Sequence, residues 1–144
     1  MKIRVLPEEV SVCRLNGAPI PPEWENGSGF FALIRNGNEV TVVCESRSVP
    51  AGVQSEAGWV VLETEGPLGF HLTGVLHGIL QKLARVRISV FVVSTFSTDC
   101  VLVKRENLED AIRELGKSYQ IILPPGTAPN VSGGRDERVS GTGI

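Results

Sequence analysis

The sequence predicts an α+β fold made of two similar units, and three observations lead to this prediction. The chain has 144 residues, 42% of them hydrophobic and 21% charged, which suits one globular domain or two small ones. Short runs rich in β-branched residues recur along the chain and indicate strands. After Gly66-Pro67 the hydrophobic period changes from two to that of a helix.

The first half of the chain contains most of the predicted strands. Asn36-Gly37 joins two of them and is a strong hairpin signal, because both central residues of such a turn take a positive φ. The connection Asn16–Gly29 holds three prolines and has room for one helical turn at most, and Ser46–Gly58 is predicted as a loop. The predicted strands are Val10–Leu15 with Lys2–Leu6 as an extension, Phe30–Arg35, Glu39–Glu45 and Trp59–Glu63.

The second half contains two predicted helices. The first carries one apolar stripe formed by Leu72, Val75, Leu76, Ile79, Leu80 and Leu83, whereas His77 falls on its polar face. We expect Asn107 to cap the second helix and Gly116 to end it. The predicted strands of this half are Ile88–Phe96, Cys100–Lys104 and Tyr119–Leu123.

The order of these elements predicts a ferredoxin-like βαββαβ unit over 59–123. The first half, 1–58, has the same order of strands with degenerate, shortened helices. Phe30–Ser46 aligns with Val90–Glu106 at a constant offset of 60 residues, as expected for a tandem repeat. We therefore predict two units with antiparallel sheets and helices on one face, and a flexible tail over 124–144, which is rich in Gly, Ser and Pro.

Composition excludes several classes of function. A net charge of −2 and scattered basic residues argue against nucleic-acid binding. No run of roughly 20 apolar residues predicts a membrane span, and the N-terminus does not resemble a signal peptide. Cys13, Cys44 and Cys100 are widely spaced and lie in or beside apolar runs, so we expect buried thiols rather than disulfides or metal ligands. A cytoplasmic protein without a metal or cofactor is expected.

Several segments resemble ACT domains, those of aspartate kinases and of the animal cytosolic arginine sensors in particular. The resemblance implies an amino-acid-binding regulatory module that acts allosterically, commonly as a homodimer. It covers nearly the whole chain except the tail, and LTGV and STFSTD are its most specific pieces. The segments are Phe30–Arg35, Val40–Glu45, Val49-Pro50, Gly66–Leu68, Leu72–Leu76, Ile88–Phe91, Ser94–Asp99 and Val101–Lys104.

Two segments are predicted to form a ligand site at the junction of the units. The start of the long helix offers unpaired N–H groups to a carboxylate, and the turn near Asp99 offers hydroxyls and an acid to an ammonium group. Gly74 would let a ligand approach the main chain. The predicted ligand-binding residues are Gly69, Phe70, His71, Leu72, Thr73, Gly74, Val75, Ser94, Thr95, Phe96, Thr98 and Asp99.

Alternatives to this site stay open. Many ACT relatives have an acid after the Gly-Pro-Leu turn and a serine after the next aromatic residue, where this chain has Gly69 and His71. The site could thus be lost, leaving a ligand-free module for protein–protein interaction, and Asp99 could be an ordinary turn residue. No phosphate loop, nucleophile elbow or paired carboxylate is evident, so we do not expect an enzyme.

Overall fold

The computed structural model describes residues 1–17, 19–20, 24, 29–65 and 74–126. Within them the predicted α+β fold is confirmed, and no helix has the length and apolarity needed to cross a bilayer. The strands are β1 (Lys2–Val5), β2 (Val10–Asn16), β3 (Phe31–Asn36), β4 (Glu39–Glu45), β5 (Gln54–Thr64), β6 (Val90–Ser94), β7 (Asp99–Lys104) and β8 (Gln120–Ile122); the α-helices are α1 (Val75–Arg85) and α2 (Leu108–Leu115).

All eight strands join one sheet, and the long strand β5 links its two halves. The order β3-β4-β2-β5-β1-β8 runs along the sheet, and β7 pairs with both β5 and β6. Residues 54–59 of β5 pair with β2, and residues 59–63 pair with β7. β5 therefore belongs to the sheet of both halves. The division of the chain at residue 58 stays a prediction.

β1 is a separate strand rather than an extension of β2. It is antiparallel to β5 and parallel to β8, and so lies between them. Pro7 follows it, where the chain bends before β2. The first strand thus pairs with the last one, a long-range contact that no local pattern signals.

Both helices pack on the same face of the sheet. Ile79 and Leu83 of α1 and Ala111 and Leu115 of α2 are at most 1% exposed and contact alternate residues of β1, β5 and β7. Each such side chain stabilises the fold by roughly 1.5–3 kcal/mol through burial. His77 is exposed, as its place on the polar face predicts.

The other face of the central strands is buried as well. Val61, Cys100 and Leu102 are fully buried in a cluster that includes Val10 and Val43 of the first half. The three cysteines are buried free thiols, as predicted. In the first half, Trp24, which has a helical conformation, packs on the strands: it is 3% exposed, and its Nε1–H donates to Cys44 Sγ over 3.0 Å.

The predicted position of the first hairpin turn is wrong by one residue. Asn36 is the last strand residue and pairs with Glu39, so that the two-residue loop is Gly37-Asn38. Among these residues only Gly37 has a positive φ, of 60°. The alternation of buried Val40, Val42 and Cys44 fixes the register, and a glycine at the first central position satisfies the turn.

Two further predictions need correction. The predicted loop Ser46–Gly58 contains the start of β5, because residues 54–56 pair with β2 although their side chains are exposed. Asn107 occupies the N-cap position of α2, as predicted, but its side chain makes no capping bond, and the 3-10 helix Arg105–Asn107 leads directly into α2. The predicted tail lies outside the described residues from 127 onward.

Candidate ligand site at the edge where β5 and β6 end

Strands β5 and β6 end at the same edge of the sheet. Both are antiparallel to β7, and they are therefore parallel to each other. The chain leaves β5 after Thr64, and it leaves β6 after Ser94 into the hairpin loop 95–98. We call this region the β5–β6 edge. It contains the described part of the predicted site.

Thr64 ties the exit of β5 to Asp99. The Thr64 hydroxyl accepts the N–H of Asp99 over 2.9 Å and donates to the carbonyl oxygen of Asp99 over 3.2 Å. Thr64 is 1% exposed, so this contact is protected from water. The connection that leads to α1 consequently starts beside the hairpin, as the sequence predicts.

We predict that helix α1 begins at this same edge, because its length of about 16 Å is close to the roughly 16 Å length of β6, the strand that follows it. Gly74 is its N-terminal cap residue, with a φ of 82° that favours glycine, and an added Cβ would meet no atom within 4 Å. The first helical turn, which starts at Val75, carries no acidic residue, and no side-chain cap is found among the described residues, an arrangement that favours an anion at its N–H groups.

The hairpin satisfies its own hydroxyl groups. Thr95 Oγ1 accepts the N–H of Thr98 over 3.0 Å and that of Ser97 over 3.3 Å, and it lies 2.9 Å from Thr98 Oγ1. Ser94 Oγ donates to Asp99 Oδ1 over 2.7 Å. We predicted that these hydroxyls face a ligand, whereas the structure engages them within the loop. Asp99 retains further acceptor capacity, since a carboxylate accepts several hydrogen bonds.

The structure brings together part of the predicted site. Ser94, Thr95, Thr98 and Asp99 lie in one hairpin; Phe96 is in its loop and is 80% exposed. Gly74 and Val75 begin α1, and their place beside this hairpin stays a prediction. The other predicted ligand residues lie outside the described residues: Gly69, Phe70, His71, Leu72 and Thr73.

Sequence reasoning missed a charged cluster that β1 brings to this edge. Glu65, the residue after β5, lies 3.3 Å from the Arg4 guanidinium and 3.8 Å from Lys2 Nζ. Its backbone N–H also donates to the Lys2 carbonyl. Only the non-local pairing of β1 with β5 creates this contact, so the local sequence holds no signal for it.

Cys100 follows Asp99 but is not poised for chemistry. The pKa of the Cys100 thiol is raised to about 11: burial is the largest cause, a hydrogen bond with Thr98 lowers the pKa, and the nearby Glu63 and Asp99 raise it. The thiol is therefore neutral at physiological pH. A neutral buried thiol is a poor nucleophile.

Comparison with protein families gives two matches along the chain. The ACT domain model matches residues 54–117. A second model, for an N-terminal domain, matches residues 8–52. The ACT match covers β5 through α2, and with them the candidate site.

Individual relatives agree with this match. The cytosolic arginine sensor for mTORC1 subunit 1 of Bos taurus is 30% identical over 78% of this chain and 37% of its own length. The human protein of the same name is 29% identical over 69% of this chain and 34% of its own length. The chain thus spans about a third of the length of these curated relatives.

Solved structures confirm the fold. A crystal structure of an Agobacterium tumefaciens protein superposes with a TM-score of 0.79 at 28% identity, covering 90% of this chain and 97% of that one. The regulatory subunit of aspartate kinase from Thermus thermophilus gives a TM-score of 0.58 at 12% identity, covering 82% and 96%. At that identity the second likeness concerns the fold alone.

Proposed function

We propose that this chain, whose residues 54–117 match the ACT domain model, is an amino-acid-binding regulatory module with its ligand at the β5–β6 edge. The observation that carries the proposal is the pair of hydrogen bonds between Thr64 and Asp99. They hold the exit of β5, which leads to the start of α1, against the main chain of Asp99, whose side chain is the only acidic one in the described hairpin 94–99. The arginine-sensor relatives support an amino acid as the ligand class.

The mechanism we propose is a population shift. The N–H groups at the start of α1 hold the ligand's carboxylate, and Asp99 holds its ammonium group. A ligand that joins the two segments favours the arrangement in which they lie close together, and this bias changes how the chain meets a partner. We expect the partner to include a second copy of the chain. The proposal includes no catalytic step and places the protein in the cytoplasm.

A second candidate function is favoured by the closed hydrogen bonding of the hairpin. Because Thr95, Thr98 and Ser94 use their hydroxyls within the loop, the edge is stable without a ligand. The chain would then be a ligand-free interaction module, and Asp99 would only shape the turn. The two functions differ in what removal of the Asp99 carboxylate does.

Thermal unfolding in the presence of each common amino acid at millimolar concentration tests the proposal. A ligand of the folded state raises the midpoint, by an amount that grows with concentration. We expect one class of amino acid to do so and Asp99→Asn to remove the effect, because the amide cannot balance an ammonium charge. Glu106→Gln is the matched control, since Glu106 is an exposed acid of the 3-10 helix that follows β7. A midpoint that no amino acid moves would leave the interaction module as the function.

A further inference from the structure

A second edge of the sheet has the same plan and an open cavity. Strands β2 and β3 are both antiparallel to β4, and they therefore end together at Asn16 and Asn36. A connection leaves β2 there, and the hairpin of Gly37-Asn38 leaves β3. We call this region the β2–β3 edge. Glu39 follows its hairpin loop and closes it, as Asp99 does at the β5–β6 edge.

The cavity at the β2–β3 edge measures about 820 Å³, which is within the usual range for small-molecule sites. Asn16, Pro19 and Ile20 line it from the end of β2 and the connection that follows. Arg35, Asn38 and Glu39 line it from the hairpin. The walls thus combine an apolar surface with a few polar groups, as ligand sites commonly do.

The charges on this cavity favour an anion. Among the described residues that line it, Arg14 and Arg35 stand against the single acid Glu39. Arg14 Nε lies 4.0 Å from Glu39 Oε2, a loose contact between two side chains that are more than half exposed. Arg35 has no ion-pair partner among the described residues. Two guanidinium groups against one carboxylate leave a net positive charge, and a guanidinium binds carboxylates in a bidentate manner.

This cavity is distinct from the site of the proposed function. Because β2 is antiparallel to β5, the β2–β3 edge and the β5–β6 edge lie at opposite ends of the sheet. Arg14 pairs with Gln54 at the start of β5, and Thr64 is at its end. Eleven residues of extended chain separate the two edges by roughly 30 Å. A small-molecule ligand cannot span this distance and contact both edges.

We propose that the cavity at the β2–β3 edge is a second small-molecule site, which binds a small dicarboxylate anion. Arg35 is its principal contact, and Arg14 exchanges its loose contact with Glu39 for the second carboxylate. Glu39, once released, accepts an ammonium group if the ligand is an acidic amino acid rather than a plain dicarboxylic acid. The inference concerns a different edge from the proposed function and does not depend on it.

Isothermal titration of the full chain with succinate tests this site. Arg35→Gln weakens succinate binding by about tenfold or more, because a hydrogen bond to a charged group contributes about 1.5–3 kcal/mol. Arg35→Lys retains the charge without the bidentate geometry and gives an intermediate affinity. The matched control is Arg85→Gln, which removes the same charge from an exposed residue of α1 and leaves affinity unchanged. Arg35 and Arg85 are both exposed, so the three variants are expected to fold.

Two further ligands identify the source of the carboxylates. L-glutamate binds more tightly than succinate if the ligand is an acidic amino acid, and less tightly if it is a dicarboxylic acid. Inorganic phosphate binds more weakly than both. The proposal is overturned if succinate and glutamate fail to bind at about 10 mM, a concentration at which even weak millimolar sites fill. The proposal is also overturned if inorganic phosphate binds as tightly as succinate and glutamate. It is overturned equally if Arg35→Gln leaves succinate binding intact while Asp99→Asn removes it.

Discussion

The β5–β6 edge and the β2–β3 edge have the same backbone plan, but their polar groups differ in what they engage. At the first, a four-residue hairpin loop folds its hydroxyls onto its own backbone, and a buried threonine fastens it to the neighbouring strand. At the second, a two-residue loop leaves an open cavity with two arginines on its walls. The length of the hairpin loop therefore decides how much of an edge is available to a ligand.

The two halves of the chain also differ in what covers one face of their strands. Two helices bury the strands of the second half, whereas Trp24 is the main described cover of the first. Because Trp24 is the largest buried side chain of that cover among the described residues, we expect the first half to be sensitive to its loss.

Removal of the Trp24 side chain has the largest expected effect. Trp24→Ala leaves a cavity over Val42 and Cys44 and lowers the free energy of unfolding by about 3–5 kcal/mol. Trp24→Phe fills most of the space and loses only the hydrogen bond to Cys44, so it costs less. Urea denaturation of the two variants measures both values. If both variants lost the same small amount of unfolding free energy, burial of the Trp24 side chain would contribute little to stability.

Loss of the Thr64 hydroxyl has an intermediate effect. Thr64→Val keeps the shape but leaves the buried N–H of Asp99 without its acceptor, which costs about 1–3 kcal/mol of unfolding free energy. Thr64→Ser preserves both hydrogen bonds and serves as the control. Chemical denaturation gives the stabilities, and amide hydrogen exchange at Asp99 reports the local opening. Unchanged exchange in the valine variant would contradict the role assigned to this contact.

Arg87 offers a stabilising substitution. It follows α1 with a φ of 61°, and Ile88 N–H reaches back to the Leu83 carbonyl, a helix ending in which glycine is usual. Arg87→Gly relieves the backbone strain and raises the free energy of unfolding by about 1 kcal/mol. Arg85→Gly places the same residue within the helix and lowers it by about 1 kcal/mol. Thermal or urea unfolding should show that Arg87→Gly raises the free energy of unfolding and that Arg85→Gly lowers it.

The buried thiols predict that the protein loses stability at alkaline pH but not at neutral pH. Burial raises the pKa of Cys13 from 9.0 to about 12, and that of Cys100 from 9.0 to about 11. The folded state therefore keeps thiol protons that the unfolded state releases. This contribution to stability is complete below about pH 9 and is lost as the pH rises toward 11 and above. Unfolding free energies of the wild type and of Cys100→Ala across this range should converge at high pH.

Much of the fold could be predicted from the sequence because local patterns encode it. The stripe that includes Ile79 and Leu83 identified α1, and alternation identified β2 and β4. The start of β5 could not be recognised, since its exposed residues 54–56 are held by pairing with β2 rather than by burial. The role of β1 was equally hidden, because its partners are about 60 and 118 residues away along the chain.

The candidate site was predicted less completely than the fold. The sequence identified Asp99 and its hairpin, but not Thr64, whose importance depends on its place opposite Asp99. It also predicted free hydroxyls at Thr95 and Thr98, because composition indicates polar groups without showing what they bind. The cavity beside Arg35 has no local motif, since it arises from the space between two strand ends and a short turn.

The position of β1 between β5 and β8 has a consequence for how the molecule forms. During synthesis on a ribosome the first strand emerges early, but its parallel partner, β8, is made only after residue 119. Until then one side of β1 carries unpaired backbone groups, and closing so long a loop is slow. We expect the nascent chain to remain exposed to chaperones and to other strand edges until nearly the last residue of the sheet has been translated.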